Sequence, residues 1–236
     1  IYISLGPFSS GVGAYKLSKE TGIPLVLDIR DYWNLLSDYD LEATIFHRKY
    51  SWHWEKTLYD YASLILTASR GIERDIIQIF GSHLKDKTMT VFSGWDEMDF
   101  IDLPEVTKPD AYTISYFGNI NARRTLKFFF QALKRLLQEG NAPQNIKVQL
   151  YGNYFKEIKD EINQSGIANL IEIIPPLEHK EAIANMMATD ALLLLVNSSS
   201  PYGRLTSKVC EYLRTQKPIL AMVPYHGEAA ELLRRC

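Results

Sequence analysis

The residues best suited to binding chemistry lie late in the chain, where a strand leads into a helix. Residues 203–208 read Gly-Arg-Leu-Thr-Ser-Lys, and Glu211 follows one helical turn after Lys208. They come after a buried-looking strand at 191–196, and open α/β sheets bind ligands beyond the carboxyl ends of their strands. Unpaired N–H groups at a helix start attract anions. Lys208 and Glu211 could therefore hold a diphosphate and its ribose, or form an ordinary ion pair on the helix face.

A second candidate anion site follows the predicted strand 113–117. Gly118 ends this strand, Asn119 comes next, and Arg123 and Arg124 stand just before the next predicted helix. Glycine lets backbone approach a phosphate, and a guanidinium can neutralise its charge. Cations at a helix N-terminus oppose the helix dipole, so two adjacent arginines favour an anion site over a solvated basic corner.

Two further strand ends offer weaker candidates. Gly152 follows the strand 146–151 and either lies beside a ligand or forms a simple turn. Two prolines and His179 follow the strand 170–174, where they either shape a pocket for a base or belong to a plain loop.

The first half of the chain carries its charged cluster after the strand 24–29. Asp28, Arg30 and Asp31 stand together at the end of this strand. Arg30 could stabilise charge that develops in a reaction, and Asp31 could orient a hydroxyl group. The alternative is that Asp28 and Arg30 form a structural ion pair.

The order of elements predicts an α/β protein. Short apolar runs alternate with helical patterns along the whole chain, which indicates doubly wound parallel sheets. The alternation stops over a segment rich in acidic residues and proline, which we interpret as a linker. We therefore predict one domain over 1–97, an interdomain linker over 98–110 and a second domain over 111–236, with Thr206 and Ser207 as the residues that cap the helix of Lys208.

Composition narrows the function classes. A net charge of -2 argues against a nucleic-acid-binding surface. The two cysteines form no disulfide framework, which is consistent with the reducing cytoplasm. The five histidines do not have the spacing of metal ligands. We expect neither a metal nor a cofactor. Apolar runs fall short of the roughly 18–20 residues of a membrane span. Because the chain opens with Ile1 and ends within a helical pattern, we predict that it is a portion of a longer protein.

Three segments together resemble a known family. They are Ser207-Lys208-x-x-Glu211-Tyr212-Leu213 with 217–220, the segment 24–33 and the segment 114–120. They resemble family-4-like glycosyltransferases of the GT-B type. The resemblance implies two Rossmann-like domains facing across a cleft. The first, incomplete here, would lie on the acceptor side, and the second would bind the nucleotide-sugar. The resemblance also implies transfer of a sugar from a nucleoside-diphosphate-sugar donor, with retention at the anomeric carbon and without a metal.

The resemblance also assigns roles to residues. It gives Glu211 the donor ribose, and it gives Lys208 and Arg124 the diphosphate. Asn119 stands where relatives often have arginine, and Gly203 where many have a second glutamate, which leaves the sugar open. The predicted catalytic residues are Arg30 and Asp31. The predicted donor-binding residues are Gly118, Asn119, Arg123, Arg124, Gly152, Gly203, Arg204, Leu205, Thr206, Ser207, Lys208 and Glu211.

The sequence gives less direct indications of the sugar acceptor and of the cellular location of the protein. We expect a glycan or lipid-linked acceptor and a cytoplasmic protein, with the inner face of the membrane as a further hypothesis. The aromatic and basic helix around 46–54 could lie on a membrane surface, although aromatic residues at helical spacing also build cores. Two rival functions stay open: a nucleotide-sugar epimerase of the same architecture, and a non-catalytic nucleotide-binding domain, which Gly203 favours.

Overall fold

The computed structural model describes residues 1–34, 44–120, 125–143, 145–154, 156–196 and 205–236. These residues form two compact units: the first holds the residues up to Ser93 together with Leu205, and the second holds the others from Gly94 onward. Each unit is an α/β layer structure built on its own parallel sheet. All nine strands that the apolar runs predicted are present. Which unit serves the donor and which the acceptor stays a prediction.

The first unit contains a sheet of four parallel strands in chain order. Its elements are β1 (Tyr2–Ser4), α1 (Ser9–Thr21), β2 (Val26–Ile29), α2 (Ile45–Tyr61), β3 (Leu64–Thr67), α3 (Arg70–Phe80), a 3-10 helix (Ser82–Lys87) and β4 (Thr88–Thr90). Leu25 and Leu27 are fully buried against Leu58 of α2 and Ile65 of β3. A strand buried on both faces reads as a continuous apolar run, which is why β2 was recognisable in the sequence.

The second unit contains five parallel strands in the order β7-β6-β5-β8-β9. Its strands are β5 (Tyr112–Phe117), β6 (Ile146–Tyr151), β7 (Ile171–Ile174), β8 (Ala191–Leu195) and β9 (Ile219–Met222). Its helices are α4 (Lys127–Gln138), α5 (Lys156–Gln164), α6 (His179–Ala188), α7 (Lys208–Thr215) and α8 (Glu228–Leu233), with 3-10 helices at Glu97–Phe100 and Ala168–Leu170.

The strand order of the second sheet creates a place for a ligand. The chain builds outward from β5 through β6 to β7, then returns to pair β8 with the other side of β5. The direction of winding reverses between β5 and β8, so the helices that follow these strands diverge. In open α/β sheets, ligands bind in the crevice beyond the carboxyl ends of the strands at such a reversal. Gly118 follows β5 and Lys208 begins the helix after β8, so both predicted residues belong to this edge.

Candidate nucleotide site

The first helix turn of α7 is packed against the end of β5. The ammonium of Lys208 lies 3.5 Å from the hydroxyl oxygen of Tyr116 and 4.6 Å from the centre of its ring. One turn further along α7, the hydroxyl oxygen of Tyr212 accepts a hydrogen bond of 3.2 Å from the backbone N–H of Phe117. Tyr116 and Tyr212 are both fully buried. These contacts fix the cation of α7 beside the strand end where the sequence placed an anion site.

Gly118 is required at its position by its backbone conformation. Its φ of +126° lies in a region that favours glycine. A Cβ atom built on Gly118 would collide with the ammonium of Lys208. The missing side chain therefore leaves room for the lysine to reach the carboxyl end of β5.

Gly152, at the end of β6, is packed against the same turn. Its φ is +144°, and a Cβ atom there would lie 2.6 Å from the carbonyl oxygen of Gly118. The side-chain oxygen of Asn119 accepts a hydrogen bond of 2.8 Å from the backbone N–H of Asn153. The structure thus brings Gly118, Asn119, Gly152 and Lys208 together at one end of the sheet.

Glu211 lies one helical turn beyond Lys208, with 24% of its side chain exposed. Burial raises the pKa of its carboxyl group, and the charge of Asp99 adds to that rise, whereas His179 and Lys208 oppose it. The carboxylate is therefore half-buried and accessible, within the field of two basic side chains. Such a group can accept hydrogen bonds from ligand hydroxyls at the edge of a crevice.

The contacts that surround Glu211 were not evident from the sequence. The imidazole Nε2 of His179, at the start of α6, lies 3.2 Å from a carboxylate oxygen of Asp99 and 3.9 Å from one of Glu211. Asp99 belongs to the 3-10 helix Glu97–Phe100, part of a segment whose acidic composition suggested a linker. No local pattern in the sequence relates this segment to α7, where Arg214 is ion-paired with Glu97.

Neither predicted cap residue caps α7. Ser207 has helical backbone angles and makes no side-chain capping hydrogen bond. The hydroxyl oxygen of Thr206 is buried without a hydrogen-bond partner. The capping prediction was therefore wrong, because the chain already follows helical geometry at Ser207 and no Ncap conformation precedes Lys208. Leu205 is half-buried just before them. Arg123, Arg124, Gly203 and Arg204 lie outside the described residues.

The charged cluster of the first unit is held by an ion pair. The guanidinium Nε of Arg30 lies 2.9 Å from a carboxylate oxygen of Asp28, which also accepts a hydrogen bond of 2.7 Å from the hydroxyl of Tyr2. Asp28 is 4% exposed. This confirms the structural ion pair that the sequence offered as one alternative. Asp31 is exposed at the carboxyl end of β2, and the catalytic roles of Arg30 and Asp31 stay predictions.

Known structures share this architecture, although no protein-family model and no curated protein sequence matches the chain. Anabaena HepE, solved with UDP and glucose, superposes with a TM-score of 0.70 at 17% identity, over 98% of this chain and 61% of HepE. The sucrose-phosphate synthase of Thermosynechococcus elongatus gives a TM-score of 0.66 at 12% identity, over 94% and 55%. The chain has the fold of known glycosyltransferases.

A third similar structure is the lipopolysaccharide outer core galactosyltransferase WaaB, with a TM-score of 0.55 and 15% identity. It is matched over 90% of this chain and 53% of its own. The chain thus spans little more than half the length of these proteins. The comparisons confirm the predicted GT-B fold class of two Rossmann-like parallel sheets, and at these identities the likeness concerns the fold.

Within the ranges that the structure describes, acidic, histidine and cysteine side chains form no cluster able to hold a metal ion. Over the same ranges, every helix is too short or too polar to cross a bilayer.

Proposed function

We propose that the full-length protein transfers a sugar from a nucleoside-diphosphate-sugar donor to an acceptor hydroxyl. The observation that carries this proposal is the placement of Lys208 and Glu211. They lie one turn apart on α7, at the winding reversal of the second sheet, beside a glycine whose missing side chain makes room for the lysine. A cation followed by an accessible carboxylate suits a diphosphate followed by a ribose.

In the proposed reaction, negative charge develops on the diphosphate beside the positively charged Lys208. The bond between the anomeric carbon and the phosphate oxygen breaks, and the acceptor oxygen forms the new bond to that carbon. The departing phosphate oxygen takes the electron pair of the broken bond and gains negative charge, and the proton of the acceptor hydroxyl is released to solvent water. Lys208 and the positive end of the α7 dipole stabilise this charge, since preorganised charges and dipoles lower the barrier most where charge develops. We propose that these groups serve in place of a metal ion and that the anomeric configuration is retained.

Donor turnover tests this proposal directly. Full-length protein is incubated with UDP-, GDP- and ADP-sugars, and free nucleoside diphosphate and sugar products are measured with and without glycan acceptors in the presence of EDTA. We expect nucleoside diphosphate release that an acceptor accelerates and that EDTA does not abolish. Conversion of the sugar without release of diphosphate would instead identify an epimerase. Binding without any turnover would identify a non-catalytic domain.

We further propose that the outward face of α2 contacts an anionic membrane surface, as suits a lipid-linked acceptor at the inner face of the membrane. Ile45, Phe46 and Tyr50 are 71%, 81% and 64% exposed. Lys49 is exposed between them on the same helix face. Exposed aromatic and aliphatic groups beside cations are typical of helices that lie in the bilayer interface. A cytoplasmic location follows from this proposal.

Replacing Phe46 by serine tests the membrane contact. We expect about tenfold weaker binding of full-length protein to mixed phosphatidylcholine and phosphatidylglycerol vesicles, because the variant loses the burial of one large apolar side chain. Co-sedimentation with vesicles measures the binding. Leu17→Ser is the matched control, since Leu17 is 50% exposed on α1 of the same unit. Equal binding of the Phe46→Ser variant and the wild type would contradict the proposal.

A further inference from the structure

The carboxylate of Glu211 is connected to a second carboxylate through one imidazole. His179 is the first residue of α6, and its Nε2 atom lies between the two acids, 3.2 Å from Asp99 and 3.9 Å from Glu211. The first distance is that of a hydrogen bond, and the second is that of a close electrostatic contact. His179 therefore faces the one acidic side chain of α7 from a neighbouring helix.

Asp99 is itself held in place by a segment that we call the acidic strap, residues 97–101. The guanidinium of Arg214, on α7, lies 2.9 Å from a carboxylate oxygen of Glu97 and stacks 4.8 Å from the ring centre of Phe100. This ion pair lowers the pKa of Glu97 to about 2. At the other end of the strap, Lys180 donates a hydrogen bond of 3.0 Å to the carbonyl oxygen of Ile101. The strap is thus attached to both α6 and α7.

The charges around Glu211 explain why such an arrangement is useful. Burial favours the neutral form of the Glu211 carboxyl group, and the charge of Asp99 acts in the same direction. His179 and Lys208 favour the ionised form. Only the ionised group accepts hydrogen bonds with both oxygens and donates none. A basic group held at a fixed position beside one oxygen also limits how the carboxylate can rotate.

We propose that His179 and Asp99 are positioning residues: Asp99 orients the imidazole of His179, which holds the Glu211 carboxylate ready to accept the two ribose hydroxyls of the donor nucleotide. This inference rests on the proposed function, because it assumes that Glu211 binds ribose. It adds a residue from α6 and one from the acidic strap to a site that otherwise consists of strand ends and α7. It also predicts that His179 controls the preference for ribonucleotides over deoxyribonucleotides.

Binding of a nucleoside diphosphate and its 2′-deoxy analogue to full-length protein tests the inference. UDP, GDP and ADP are compared by calorimetry, and the tightest binder is used with its deoxy analogue. We expect His179→Ala to weaken ribonucleotide binding about tenfold and deoxynucleotide binding by much less, as loss of the close electrostatic contact with Glu211 would do. His179→Gln, which keeps an N–H donor for Asp99 but not a basic group, should restore only part of the affinity. In a Glu211→Ala background, His179→Ala should cause no further loss.

A matched control comes from the first unit. His83 lies 2.8 Å from Asp60 and is as exposed as His179, so His83→Ala removes a similar pair far from the site along the chain. His83→Ala should leave both affinities unchanged. Equal losses for ribo- and deoxynucleotide in His179→Ala would overturn the inference, as would wild-type affinities in that variant. If wild-type protein binds none of the three nucleotides, the proposed function fails and the inference fails with it.

Discussion

Replacing Glu211 by alanine is expected to weaken the binding of UDP, or of the nucleoside diphosphate that the protein prefers, by at least about a hundredfold. Two ribose hydroxyls lose their acceptor, and each hydrogen bond to a charged group contributes about 1.5–3 kcal/mol. The fold should survive, because Glu211 lies at the surface of α7, with 24% of its side chain exposed, and not in the core. Calorimetry measures the affinity, and thermal unfolding checks the fold.

Glu157→Ala is the matched control for Glu211→Ala. Glu157 is an exposed glutamate in the first turn of α5, in the same unit, as Glu211 is in the first turn of α7. This variant should bind nucleotide like the wild type. Unchanged affinity in Glu211→Ala would remove Glu211 from the site.

The pKa of Glu211 determines how nucleotide affinity should change with pH. The ionised carboxylate accepts hydrogen bonds from the ribose hydroxyls. Nucleotide affinity is therefore highest at pH values above the pKa of Glu211 and decreases as the pH falls below that pKa. Because burial raises this pKa, the loss should begin at a higher pH than for an ordinary glutamate, whose pKa is about 4.3. The Glu211→Gln variant should lack this component of the pH profile.

Replacing Lys208 by methionine is expected to act on the diphosphate alone. UDP binding should weaken by about 10- to 100-fold, since a charge-assisted contact to phosphate is lost. Binding of uridine, which has no phosphate, should stay unchanged. The rate of donor turnover should also fall, by about a hundredfold, because the lysine stabilises charge that grows as the sugar leaves. Calorimetry with UDP and uridine, together with diphosphate release, measures these effects.

The control for Lys208→Met is Lys147→Met. Lys147 is exposed near the amino end of β6, so it lies at the edge of the sheet opposite to the candidate site. The Lys147→Met variant should bind UDP and turn over the donor like the wild type. Parallel losses of uridine and UDP affinity in Lys208→Met would contradict a phosphate role and indicate a disturbed helix.

Much of the fold could be predicted from the sequence because its strands are buried on both faces. The run Leu192-Leu193-Leu194 of β8 is almost fully buried, and such a run has few structural alternatives. The glycines at strand ends were informative for a related reason. Gly118 and Gly152 both have positive φ angles, and a Cβ atom at Gly152 would also collide with the backbone of Gly118. These two glycines therefore mark positions where the backbone conformation favours glycine.

The surroundings of Glu211 could not be predicted, because they depend on contacts between residues far apart in sequence. Asp99 and His179 are separated by 80 positions, and no local pattern relates them. The acidic residues near Asp99 look like a solvated linker until Arg214 and Lys180 are placed beside them. The capping prediction failed for a local reason rather than a long-range one. Thr206 and Ser207 have the right residue types, but the local backbone does not adopt the conformation that a cap needs.

A crystal structure of the full-length protein with UDP, or with the nucleoside diphosphate that binds best, tests the central claim most directly. We predict that the diphosphate lies within hydrogen-bond distance of the Lys208 ammonium, beside Gly118, and that both ribose hydroxyls donate to the carboxylate of Glu211. A nucleotide bound elsewhere in the molecule, with Lys208 and Glu211 both out of its reach, would contradict the account.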